Sequence, residues 1–172
     1  MLIAHIPAGY LLGVGLGRVW PATPRWPALL GSVLPDLGLL YFYTVDQQQV
    51  SHRLYWFHAP WFWTVLCGAA AAILLARGRR RGAVAALVLY ASLMLHLLLD
   101  TVTGPIRWLA PFDDGPVQLF IVPADANHWF VAMATHWTFA LEVAIVVTAA
   151  AVLLPRMQRL GRACPVPGKP AT

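Results

Sequence analysis

Apolar residues in this chain gather in long runs. Three of them, residues 54–76, 83–103 and 129–154, reach the roughly 17–25 residues that a helix needs to cross a bilayer. A fourth, 28–45, is interrupted by Pro35 and Asp36. A fifth, 2–16, is short and rich in glycine, and it lacks the positively charged start of a cleaved signal peptide. The pattern predicts an all-α, polytopic membrane bundle of about five transmembrane helices. Four spans plus a re-entrant N-terminal segment is the alternative. Residues 1–155 make one transmembrane domain, followed by a basic, Pro-rich cytoplasmic tail over 156–172 that is expected to lack structure from residue 161 on.

Basic residues give the bundle a direction. Arg18 and Arg25 follow the first run, Arg77, Arg79, Arg80 and Arg81 separate the third from the fourth, and Arg156, Arg159, Arg162 and Lys169 follow the last. With the N-terminus outside and the C-terminus in the cytoplasm, ten of the twelve basic residues fall on the cytoplasmic side, leaving Arg53 and Arg107 outside. The expected location is the inner (plasma) membrane, multi-pass. Composition agrees: 59% of residues are hydrophobic and 11% charged, against about 25% charged in soluble domains. The pI of about 9.8 would suggest nucleic acid in a soluble protein; here it reflects membrane orientation, and no nucleic-acid partner is expected. Cys67 lies in an apolar run and Cys164 in the tail, so no disulfide is expected.

The histidines test that orientation independently. His5, His52, His58, His96, His128 and His136 all lie outside or in the outer half of a run, and so do six of the seven acids. Charged groups inside a membrane are costly and usually face a bundle interior or a wet cavity. His96 and Asp100 are one helical turn apart and share a face, with Thr103 below them. Such a pair can bind one cation, or the carboxylate can orient the imidazole; equally, it can tie two helices together as a hydrogen-bonded pair. Asp36 follows Pro35 at an expected helix break and reads as a cation ligand, a proton carrier or a cap. His52 and His58 flank the start of the third run; one must come from the turn before the helix, and His52 with Arg53 can also be a solvated pair at the headgroups. Glu142 is expected near the middle of the last span, about 120° from His136 on the same helix. Gly9, Gly13 and Gly17 form a stripe suited to close helix contact. Trp56, Phe57, Trp61, Phe62 and Trp63 are expected to form an aromatic belt at the outer interface. The loop over 104–127 is expected to lie in that interface as well.

Three segments carry a resemblance. Gly31-Ser-Val-Leu-Pro-Asp36, Ser51-His-Arg53 with His58, and His96-Leu-Leu-Leu-Asp100-Thr-Val-Thr103 with the following Trp108-Leu-Ala-Pro-Phe112 stand in the order seen in the YdjM-like family of inner-membrane-bound metal-dependent hydrolases. The chain resembles that family over residues 1–112. The resemblance implies a metal-binding pattern of Asp36, His52, His58, His96 and Asp100, with His5 matching an N-terminal histidine. The chain departs from many members at Gly38, where they carry a second acid, and at Phe57-His58-Ala59, where they carry Thr-His-Ser.

The expected function is hydrolysis of a lipid-linked or amphiphilic substrate, such as a phosphoester, at the outer side of the membrane. Zinc or manganese is the expected cofactor, with Asp36, His58, His96 and Asp100 as ligands, His5 and His52 next, and Asp36, His96 and Asp100 as the catalytic set. The alternatives are a proton-coupled transporter or channel and a non-catalytic scaffold with a structural polar or metal cluster. The inner halves of the third and fourth runs hold few polar groups, which argues against a transport path.

Overall fold

A computed structural model describes residues 1, 3–47, 51–123 and 128–163. Regular structure among them is helical, apart from one isolated bridge between Ile106 and Val117. The helices are α1 (His5–Val19), α2 (Trp26–Gly31), α3 (Gly38–Thr44), α4 (Pro60–Ala76), α5 (Arg80–Thr101), α6 (Trp129–Thr135) and α7 (Phe139–Ala163). Asp125 in the loop after α5, Cys164, Lys169 and the rest of the tail lie outside the described residues. Helix α7 continues through Pro155 to Ala163, so the start of the segment expected to be unstructured is helical.

Prolines and turn residues set most boundaries. Pro27 and Pro60 sit in the first turns of α2 and α4, where the missing N–H would have no helical acceptor anyway. The run over 28–45 is broken as expected: α2 stops at Gly31, a 3-10 turn over Leu34–Leu37 carries Pro35 and Asp36, and α3 follows. Gly78, at φ 70°, ends α4. Its N–H reaches Leu75 O at 2.9 Å and the Arg79 N–H reaches Leu74 O at 2.8 Å, so the last carbonyls are satisfied and the chain reverses into α5.

The five-span expectation holds only in part. Among the described residues, Arg80–Thr101 and Phe139–Arg159 are long and apolar enough to cross a membrane, and Pro60–Ala76 is a shorter apolar helix of 17 residues. Helix α1 has 15 residues, about 22 Å at 1.5 Å per residue. Two breaks shorten the other runs. Residues 54–59 form 3-10 turns rather than the start of α4, because the residue before Pro60 is driven to extended geometry. The run over 129–154 is cut at His136, where Nδ1 meets the Thr138 hydroxyl at 2.9 Å. His136 and Glu142 therefore do not share one helix, and Glu142 stands in the first turn of α7 rather than mid-span.

Helix α5 is the axis of the fold, packed against α4, α2 and α1; α1 in turn packs on α2 and α7. Glycines allow the close contacts. A Cβ at Gly31 would come within 2.7 Å of Leu89 O, and one at Gly9 within 2.7 Å of Ala28 O. Helix α2 thus lies backbone-to-backbone between α1 and α5, and the glycine stripe of α1 is a packing face. Trp63, Cys67, Leu93, Leu97 and Ile106 form the buried core. Trp63 is a correction to the expected belt: it is 5% exposed and donates from Nε1 to Phe57 O at 2.7 Å, whereas Trp56 and Trp61 do face outward. The loop after α5 turns apolar side chains outward as well, with Phe112 96% exposed.

Candidate metal centre

The packing of α2 against α5 brings the cluster together at the C-terminal end of α5. His96 and Asp100 come from the last turns of α5, His58 from the 3-10 turn before α4, and Asp36 from the turn that breaks α2 from α3. Each offers one ligand atom, and these four atoms all lie within 4.8 Å of one another. His96 Nε2 is 3.6 Å from Asp36 Oδ1 and 3.7 Å from Asp100 Oδ2; His58 Nε2 is 3.6 Å from Asp100 Oδ2. Ligand atoms about 2.1 Å from a tetrahedral zinc stand about 3.4 Å apart, so those spacings fit a shared cation closely.

The chemistry of the donors fits as well. His58 and His96 are buried, and His58 Nδ1, His58 Nε2 and His96 Nε2 have no hydrogen-bond partner among the described residues. A buried polar atom left unsatisfied costs about 1–3 kcal/mol, which a bound cation would offset. His96 Nδ1 lies 2.9 Å from Ser32 O. A carbonyl can only accept, so Nδ1 carries the proton and Nε2 keeps its lone pair for the cluster. The sequence offered no sign of this partner; it follows from the Gly31 contact that presses α2 onto α5.

His5 and His52 take different places. The His5 ring stacks on His96 at 3.8 Å between centroids, and its Nε2 is 3.4 Å from Asp100 Oδ1. It lies directly against the four-residue set. His52 packs edge-on against His58 at 5.4 Å and flanks the cluster without entering it. Burial and the neighbouring Arg53 charge push its pKa down to about 3, so it is a neutral imidazole at ordinary pH. Thr103 lies beyond the end of α5, and its buried hydroxyl has no partner among the described residues.

Three neighbours were not evident as site groups in the sequence. Arg53, expected at the headgroups, turns inward: Nε is 3.2 Å from Asp100 Oδ2 and Nη2 is 3.4 Å from Oδ1. Gly104 makes room for it, since a Cβ there would overlap the Arg53 side chain. The Met1 ammonium donates to Asp100 Oδ1 at 2.7 Å. Glu142 is buried and accepts from the Ile3 N–H at 2.7 Å, fixing the segment that carries Met1. The one-sided placement of acids and histidines was the available signal: Arg53 is one of only two basic residues left among them.

Asp36 differs from the other three residues in exposure. Its side chain is 33% accessible, against 0–1% for His58, His96 and Asp100. Access to the cluster therefore runs past Asp36 and the broken segment.

The family model of the YdjM inner membrane protein matches residues 1–160, nearly the whole chain. No curated protein and no solved structure matches. The matched region holds all four clustered residues and the helices that present them, and the chain belongs to the YdjM inner membrane protein family.

Proposed function

We propose that this protein is a metal-dependent hydrolase that spans the inner membrane several times and acts on a lipid-linked or amphiphilic phosphoester at the outer side. The observation that carries the reading is the convergence of Asp36, His58, His96 and Asp100 around unsatisfied imidazole nitrogens. Zinc or manganese held there would polarise a substrate oxygen and lower the pKa of bound water towards about 7. The residues' own parts follow from their surroundings. Ser32 O holds His96 in the tautomer that presents Nε2. Asp36, the accessible carboxylate, stands where substrate and water enter. Arg53 contributes a positive charge beside Asp100, suited to an anionic group. The one-sided arginines support five membrane segments, N-terminus outside and C-terminus cytoplasmic, with the pieces over 26–44 as a broken helix. Broken helices are tolerated in membranes where other groups meet the freed carbonyls; His96 does so for Ser32 O, while the Ser92 hydroxyl adds a second donor to Ala28 O.

The test is elemental analysis of purified protein, wild type beside His96→Ala, with turnover of a lipid phosphoester measured on both. Stoichiometric zinc or manganese and turnover in the wild type, both lost in the variant, are expected. A second reading, a non-catalytic scaffold with a structural polar cluster, is favoured by the Met1 and Arg53 cations already paired with Asp100. Metal-free, inactive wild-type protein would decide for it.

A further inference from the structure

The arginine-rich end of the molecule holds a second concavity. It is a groove of about 610 Å³ formed by α1, the connection after it and the first half of α5. Leu16, Trp20, Val84 and Leu87 give it an apolar wall, and Arg80 and Arg81 line it where α5 begins. Sixteen residues of α5 separate Arg80 from His96, so the arginines and the metal-ligand cluster are about 24 Å apart along the helix.

Size and charge together indicate an occupant. Along α5 the groove runs from Arg80 to Ala91, about 16 Å, or half of a hydrocarbon core about 30 Å thick. That is the depth of one leaflet. Arg18, Arg25, Arg77 and Arg79 share this end. The described carboxylates are elsewhere: Asp36 and Asp100 in the cluster, Asp46 on Tyr55, Asp113 and Asp114 in the loop after α5, and Glu142 on Ile3. Among the described residues, neither Arg80 nor Arg81 has an acidic partner. An apolar wall alone would accept any lipid tail; two unpaired arginines at the headgroup end select a negative one. The positive end of the α5 helix dipole adds to the same charge.

We propose that this groove binds an anionic phospholipid of the leaflet on the arginine side, with an acyl chain along Leu16, Val84 and Leu87 and the phosphate on Arg80 and Arg81. The site is independent of the metal-centre reading.

The test uses the full chain in detergent and native mass spectrometry, offering phosphatidylglycerol and phosphatidylcholine with identical acyl chains. Wild type is expected to retain the anionic lipid at least about tenfold better. Arg80→Gln with Arg81→Gln should weaken that retention about thirtyfold, from the ordinary contribution of two basic groups near anionic headgroups. Arg77→Gln with Arg159→Gln removes the same charge away from the groove and should change it little. Leu87→Trp fills the groove and should displace the lipid with every arginine in place. Inorganic phosphate and glycerol phosphate should not compete at matched concentration. Equal retention of the two lipids, equal loss in both arginine pairs, unchanged retention in Leu87→Trp, or displacement by inorganic phosphate would each overturn the proposal.

Discussion

Among the described residues, Asp100 meets more charge than any other. Met1, Arg53, His5, His58 and His96 all approach its two oxygens, and its side chain is 1% exposed. Removing one partner of a buried ion pair usually costs about 3–5 kcal/mol, because the remaining charge stays buried. Asp100→Asn keeps the shape and removes the charge, so it is expected to lower the detergent melting temperature through the stranded Met1 and Arg53 cations. On the metal reading it also lowers bound metal beyond the roughly 10–100-fold typical for loss of an outer partner. Metal content unchanged in Asp100→Asn would remove Asp100 from the ligand set. His58→Gln separates the two effects, since His58 pairs with no described cation. It is expected to lose metal with little change in melting.

At the scale of elements, glycine at two helix crossings governs where the ligands stand. Gly31 has no room for a methyl group: a Cβ would meet Leu89 O at 2.7 Å and Ser92 Cβ at 2.8 Å. Gly31→Ala is expected to push α2 off α5, at about 1–3 kcal/mol for overpacking, and to weaken metal binding by drawing Ser32 O from His96. Gly68→Ala, in open space on α4, is the matched control and should leave melting and metal content unchanged. The sequence made part of this legible. Pro35 announced the break that frees Asp36, and the four-residue spacing of His96 and Asp100 announced their common face. Helix ends were less legible, because an apolar run records burial or lipid contact and not hydrogen bonding. Residues 54–59 and 136–138 fall inside the apolar runs, and local turns decide their geometry.

For the whole molecule, the outward faces are as informative as the core. Val65, Ile73, Leu75, Val147 and Leu154 are all more than half exposed, as suits helices whose surroundings are lipid rather than water. Charge asymmetry gives the direction: the segment between α4 and α5 is expected to be cytoplasmic and the loop after α5 outside. A cysteine placed at Asp114 should react with an impermeant reagent added to intact spheroplasts, and one at Gly78 should react only after lysis. The reverse pattern would invert the topology and move the metal-ligand cluster to the cytoplasmic side. Arginine counts were readable from the chain. The inward turn of Arg53 was not, because the sequence places a residue at a depth and leaves its direction to packing, here to the space left by Gly104.

The hydrogen bond between His96 and Ser32 makes two outwardly equivalent histidines unequal in replacement. His96 serves with both nitrogens, one closing a carbonyl left bare by the broken helix and one turned to the cluster. His58 has one nitrogen to spare, since Nδ1 meets no described partner. A thiolate can substitute for an imidazole toward a soft metal, but it cannot also donate to Ser32. His58→Cys is therefore expected to yield a folded protein whose preference shifts from zinc towards cadmium, read by competition and elemental analysis. His96→Cys should lose stability and metal together. Donor exchange, and with it any retuning of the metal chosen, is open at the turn before α4 and closed on α5.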